Sequence, residues 1–248
     1  MLTVVAVLAI RQFDDITAGA APNHVARDPR LRAAPLRIYR AAHSPRALVW
    51  FFGNDVGFWG AQQRLAASLA AKGFDVVGMD LRAWFSQRPA ESPAARAGAF
   101  TAAMADLQRR MTRELGDTLL PFVLAGHSSG AEEAIWLAAT APPPRLTGVV
   151  AISPGARGHL KMTAGDLAFR EPTEPGSFAI DSMLRAIPIE VRVALVRGSG
   201  DPLRGADSLL TRSRRVHRIV VPLAGHSMRR LTIAGPMIAD AMEWVIVR

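Results

Sequence analysis

The 248-residue chain contains no cysteine. That excludes a disulfide framework, an all-thiolate zinc site and a cysteine nucleophile. Lysine is almost missing as well: Lys72 and Lys161 are the only two, so arginine carries nearly all the positive charge behind a formal net charge of +9. Such a balance suits anionic partners, a phospholipid surface or nucleic acid. The arginines are scattered, however, and no basic cluster interleaved with aromatics is present, so nucleic acid is not an expected partner. The densest basic run, 212–218, reads as a solvated helix end. No apolar stretch is long enough to span a bilayer. The apolar segment 1–10 is followed by Arg11, Asp14 and Asp15 and supports two readings equally, a first strand or the apolar part of a clipped export signal with small residues after it at 17–20. Internal repeats and low-complexity tracts are also lacking.

What remains is globular in composition, 50% hydrophobic and 21% charged. From residue 47 onward, short apolar runs that end in Gly, Asn, Asp or Ser alternate with longer segments of helical spacing. The runs are 47–52, 74–80, 122–125, 148–152, 191–196 and 218–221, and they lack the two-residue alternation of a half-exposed strand. Strands buried on both faces of a parallel sheet have this character. Helices are expected at 61–72, 95–115, 129–141, 206–213 and 233–247. The rhythm predicts an α/β fold, a mostly parallel central sheet with helices on both faces and right-handed crossovers. Residues 1–34 read as a lead-in, with an antiparallel edge strand at 36–40, and residues 35–248 as the main domain. Residues 155–188 hold several Gly and Pro and no clear strand, and are expected to form a small cap-like insertion over the strand ends.

Between the apolar run ending at Ala125 and the helix starting at Ser129 lies Gly126-His127-Ser128-Ser129-Gly130. A Gly-x-Ser-x-Gly pattern alone is a modest signal, but a strand before it and a helix after it are the context in which a sharp elbow lifts a serine above a sheet. Ser128 is the candidate nucleophile. A serine hydroxyl also needs a base, an acid behind the base, and amide donors for the oxyanion. In elbow-type sheets these follow on later strands, acid before histidine. Asp201 sits in the Gly-rich loop after 191–196, and His226 follows a glycine after 218–221. They are the candidate acid and base, with Asp80, at another strand end, as the runner-up acid. Ser129 competes with Ser128 for the nucleophile role but lies off the motif's centre; its backbone N–H is assigned to the oxyanion hole. The second donor is expected from the Gly-rich loop 53–59, as the N–H of Asn54 or Asp55. His127 is expected to line the substrate pocket, and Phe58, in the pair Phe58-Trp59, either borders that pocket or packs in the core. No metal or organic cofactor is implied.

Together these features resemble the α/β-hydrolase superfamily. Within it, residues 53–59, 73–85 and 165–172 resemble bacterial virulence proteins of the VirJ/AcvB type. Where that family carries an aromatic before the serine and Phe after it, this chain has His127 and Ser129. The resemblance implies a periplasmic hydrolase that splits the amino-acid ester from aminoacylated phosphatidylglycerol; a cytoplasmic location is the alternative. A small-molecule or lipid ester is the expected partner, met at an anionic membrane surface that the positive charge would suit. Two other readings remain at this stage: a non-catalytic binding protein on a hydrolase scaffold, and an esterase or thioesterase for small molecules.

Overall fold

A computed structural model describes residues 19–27, 34–88, 91–116, 119–168, 170–203, 215–227 and 231–247. The segment 1–18, with both of its readings, and the expected helix at 206–213 lie outside the described residues.

Among the described residues, eight strands form one sheet. β1 is His24–Ala26, β2 Leu36–Tyr39, β3 Ala47–Phe52, β4 Phe74–Met79, β5 Phe122–His127 and β6 Leu146–Ile152. The two-residue strands β7 (Arg157–Gly158) and β8 (Phe178–Ala179) pair only with each other, and β9 (Arg192–Gly198) and β10 (Val216–Val221) complete the main sheet. Its order is β1-β2-β4-β3-β5-β6-β9-β10. From β4 to β10 every neighbouring pair is parallel; β2 pairs antiparallel with β4, and β1 antiparallel with β2. The strand expected at the edge is therefore one place in from it, because three residues, His24–Ala26, cover its outer side. The described end of the basic run also differs from expectation: Val216–Arg218 opens β10 and is not helical.

The missing alternation has a direct cause. In β3, Leu48, Trp50 and Phe52 enter one core while Ala47, Val49 and Phe51 enter the other, and all six are buried. The helices are α1 (Gly60–Ala71), α2 (Leu81–Phe85), α3 (Pro93–Leu115), α4 (Ser129–Thr140), α5 (Ala164–Leu167), α6 (Ile180–Ala186) and α7 (Leu231–Ile246). α1 and α7 supply Leu65, Leu69, Ile238 and Met242 to the second core, and α3, α4 and α6 supply Phe100, Met104, Ile135 and Leu184 to the first. The boundaries of α3 follow local chemistry. The Ser92 hydroxyl accepts from the Ala95 N–H at 3.2 Å, Pro93 opens the helix, and Gly116 closes it at φ 74°.

The chain runs from β3 outward to β4 and then crosses back to β5 on the other side of β3. The carboxyl ends of β3 and β5 are thus adjacent at the point where the winding reverses, where open α/β sheets bind ligands. Residues 155–188 follow β6 and hold the β7–β8 pair, α5 and α6.

Candidate active site

Ser128 stands between β5 and α4 with φ 56° and ψ −122°, a backbone region that side-chain-bearing residues rarely occupy. Its N–H donates to Ile152 O on β6 at 2.9 Å, and its carbonyl accepts from Ala131 and Glu132 as the helix begins. The glycines around it are required by space. A Cβ at Gly126 would lie 2.0 Å from the Gly130 carbonyl oxygen, and one at Gly130 would lie 2.2 Å from the Gly53 carbonyl oxygen. The elbow and the loop after β3 therefore touch backbone to backbone.

Asp201 follows β9 and His226 follows β10. His226 Nε2 lies 2.9 Å from Ser128 Oγ, and His226 Nδ1 lies 3.1 and 3.2 Å from the two Asp201 oxygens. A carboxylate can only accept, so Nδ1 carries the proton and Nε2 presents its lone pair to the serine. Asp201 is itself fixed: Oδ1 accepts from the Leu203 N–H at 3.0 Å, and Oδ2 from Arg197 at 3.0 Å. Burial alone would raise the Asp201 carboxyl. The hydrogen bond and charge of His226 outweigh it and hold the group well below the usual carboxylate range. Asp80 has another task, accepting from the Ala83 N–H at 2.9 Å as the cap of α2.

The amides of the loop after β3 divide unequally. The Asn54 N–H is spent on Gly57 O at 3.2 Å, and the Asn54 side chain accepts from Val56 N–H. That leaves the Asp55 N–H as the loop's available donor of the two expected. Ser129 is the first residue of α4, a position whose N–H has no partner within the helix. Both amides lie at the positive end of the helix dipole or beside it.

The Asp55 side chain is the feature that the sequence did not signal. Its Oδ2 accepts from Ser128 Oγ at 3.1 Å, so the one hydroxyl proton has two acceptors within reach, Asp55 and His226. Asp55 is 7% exposed, and burial pushes its carboxyl above the ordinary range. A cavity of about 270 Å³ opens beside these groups. It carries Asp55, Glu132, Asp166 and Glu171 against Arg157 and Arg170, an acidic lining in a basic protein. Glu132 is raised well above its usual value, first by burial and next by Asp55. Asp166 and Arg157 come from the insertion, and Arg157 is held by Pro172 O and Ser177 Oγ at 2.9 and 2.7 Å.

Two expected substrate contacts lie elsewhere. Phe58 is fully buried with its ring edge-on to Phe51 at 5.4 Å, in the core behind the loop. His127 does not line the cavity; its ring points behind the row Asp201–His226–Ser128, between Gln62 and the backbone of His226. Among the described residues there is no cluster of three or more side chains suited to a metal, and no helix long and apolar enough to cross a membrane.

The sheet, its winding and the elbow define the α/β-hydrolase fold. Residues 43–187 match the hydrolase family described as serine aminopeptidase, S33, and the chain belongs to that family. No curated protein matches it in sequence. Solved structures similar to it include a thermostable carboxyl esterase from Bacillus coagulans, at 15% identity and TM-score 0.62, covering 86% of this chain and 94% of that one. Est1E from Butyrivibrio proteoclasticus matches at 12% identity and TM-score 0.61, over 87% and 95%. A monoglyceride lipase from Saccharomyces cerevisiae matches at 12% identity and TM-score 0.61, over 94% and 98%. At these identities the likeness is one of fold.

Proposed function

We propose that the protein is a serine hydrolase of carboxylic esters working through an acyl-enzyme. Ser128 Oγ attacks the acyl carbon while His226 Nε2 takes its proton. The negative charge formed on the carbonyl oxygen is received by the N–H groups of Ser129 and Asp55. His226 returns the proton to the departing alkoxide, then activates the water that releases the acid, and Asp201 holds the imidazolium throughout. The observation that carries this reading is the bonded row Asp201–His226–Ser128.

The finer reading is that the acyl group bears an α-ammonium. In the acyl-enzyme such a nitrogen lies three bonds from Oγ, at roughly 3 Å. Asp55 Oδ2 lies 3.1 Å from the same Oγ, so the two can come within bonding distance, and the cavity around it carries four acids against two arginines. An arriving ammonium would occupy the carboxylate that now accepts from Ser128 and leave the hydroxyl proton to His226. With the resemblance to the VirJ/AcvB virulence proteins, this favours the aminoacyl ester of phosphatidylglycerol as the physiological substrate. The net charge of +9 would bring the protein to the anionic lipid surface that carries it.

The test is a fluorophosphonate probe together with a panel of aminoacyl-phosphatidylglycerol, neutral lipid esters and p-nitrophenyl esters. Labelling and ester cleavage in the wild type, both lost in Ser128→Ala, are the expected result. A folded wild type that neither labels nor cleaves any ester would return the chain to the reading of a binding protein on a hydrolase scaffold.

A further inference from the structure

We propose that Gln62 and His127 form a positioning relay that holds His226 in front of Ser128 by gripping its backbone carbonyl. Resting on the reading of His226 as the base, the inference adds two residues to that machinery, neither of which reaches the substrate cavity.

His127 Nε2 lies 2.7 Å from the carbonyl oxygen of His226, and His127 Nδ1 lies 3.0 Å from Gln62 Nε2. A carbonyl only accepts, so Nε2 must carry a proton. Burial, then the neighbouring charge of His226, depresses the His127 ring to about 4, so it is neutral near pH 7 and Nδ1 bears a lone pair. Gln62 must therefore donate with its amide nitrogen. That orientation leaves Gln62 Oε1 buried without a hydrogen-bond partner. An unsatisfied buried oxygen costs stability, and here it accompanies an amide committed wholly to the histidine.

The positions of the three groups give the relay its reach. Gln62 lies in the first turn of α1, directly after the oxyanion loop. His127 is the elbow residue before the nucleophile, and His226 lies on the loop after β10. Two hydrogen bonds thus connect the loops after β3, β5 and β10. The loop after β10 otherwise meets its neighbours through bonds such as Leu223 N–H to Ser199 Oγ, three residues before the histidine. The gripped carbonyl and the imidazole belong to the same residue, so a shift of the carbonyl carries the imidazole with it. Small misplacements of a base cost rate steeply.

The experiment uses the full chain with histidine ring nitrogens labelled with ¹⁵N, and p-nitrophenyl esters for kinetics. In the wild type the His127 ring is expected as the neutral Nε2–H form from pH 8 to about 5, and the His226 Nδ1 proton shared with Asp201 exchanges slowly. In Gln62→Leu that proton exchanges at least tenfold faster, and kcat falls about tenfold or more with KM within twofold. His127→Phe behaves alike, and His127→Gln, which restores an N–H donor, recovers most of kcat. Should His127→Phe fail to fold, Gln62→Leu and His127→Gln decide. An Nδ1–H ring at His127, or a folded Gln62→Leu with wild-type exchange and kcat, overturns the relay. An inactive wild type would count against the proposed reaction alone, since the ring form and the exchange rate would still decide the relay.

Discussion

Replacing Asp55 by asparagine separates recognition of the acyl group from the chemistry of the ester. The carboxylate oxygen stands 3.1 Å from Ser128 Oγ, close enough to bond the α-ammonium of an acyl group attached there. A hydrogen bond to a charged partner contributes about 1.5–3 kcal/mol. With about 1.4 kcal/mol per factor of ten, Asp55 should favour an alanyl over a propionyl ester by roughly 10- to 150-fold. Asparagine keeps an acceptor of the same shape and removes the charge, so most of that preference should vanish. The quantity to measure is the ratio of kcat/KM for alanyl and propionyl esters of one alcohol, because a general loss of rate cancels in it. The ratio should also depend on pH. Burial raises the Asp55 carboxyl, so the preference fades as pH falls through that raised value and the group becomes neutral. It fades again above about pH 8, where an α-amino group loses its own proton. A folded Asp55→Asn protein with the wild-type ratio, or a wild type with no preference at all while cleaving both esters, refutes the assignment.

Three further outcomes follow from the packing and the charges. Gly130→Ala would drive a methyl to 2.2 Å from Gly53 O and 2.6 Å from Phe52 O, backbone atoms that cannot rotate away; a loss of about 1–3 kcal/mol in urea unfolding is expected, with fluorophosphonate labelling slowed as the oxyanion loop is pushed off the elbow. Glu133 is fully buried with neither oxygen hydrogen-bonded, and burial raises it well above its usual value. An acid raised in the folded state costs stability once pH exceeds its unfolded value near 4.3, so Glu133→Gln should raise Tm at pH 8 and change it little at pH 4, as calorimetry would show. His159 bonds Asp166 at 3.0 Å and Glu174 at 2.5 Å; burial works against its charge, but the two acids prevail and raise it. A raised histidine stabilises below its unfolded value of about 6.5 and stops doing so as pH climbs through the folded one. Hydrogen-exchange protection across 157–179, corrected for the intrinsic rise of exchange with pH, should therefore fall over that climb in the wild type and stay flat in His159→Gln.

Most of the sheet was legible because its strands are buried on both faces and its turns are marked by Gly and Asp. The apolar run 47–52 reappears unchanged as β3, and 122–125 extends only to His127. What escaped was short or distant. Three residues at His24–Ala26 give no periodic signal, yet they turn β2 from an edge into an interior strand. The elbow could be placed from its glycines, but the direction of the Asp55 carboxylate depends on Gly57 at φ 106° and on the Asn54–Gly57 bridge, which composition does not reveal. Sequence alone points His127 to the pocket, because its partner, Gln62, is 65 positions away in the chain and carries no motif. Arg197, which grips Asp201 four residues on, carries no motif that marks it as the acid's partner.

Part of the cavity's lining does not share an origin with the row Asp201–His226–Ser128. Asp166, Arg157, Arg170 and Glu171 all belong to the one excursion between β6 and β9, whereas Ser128, Asp201 and His226 belong to loops anchored directly on strands. One wall of the cavity is thus encoded apart from that row, while Asp55 and Glu132 stay with the loop after β3 and with α4. A lineage, or an engineer, could exchange the thirty-odd codons of that excursion and reshape that wall without touching the three residues of the row.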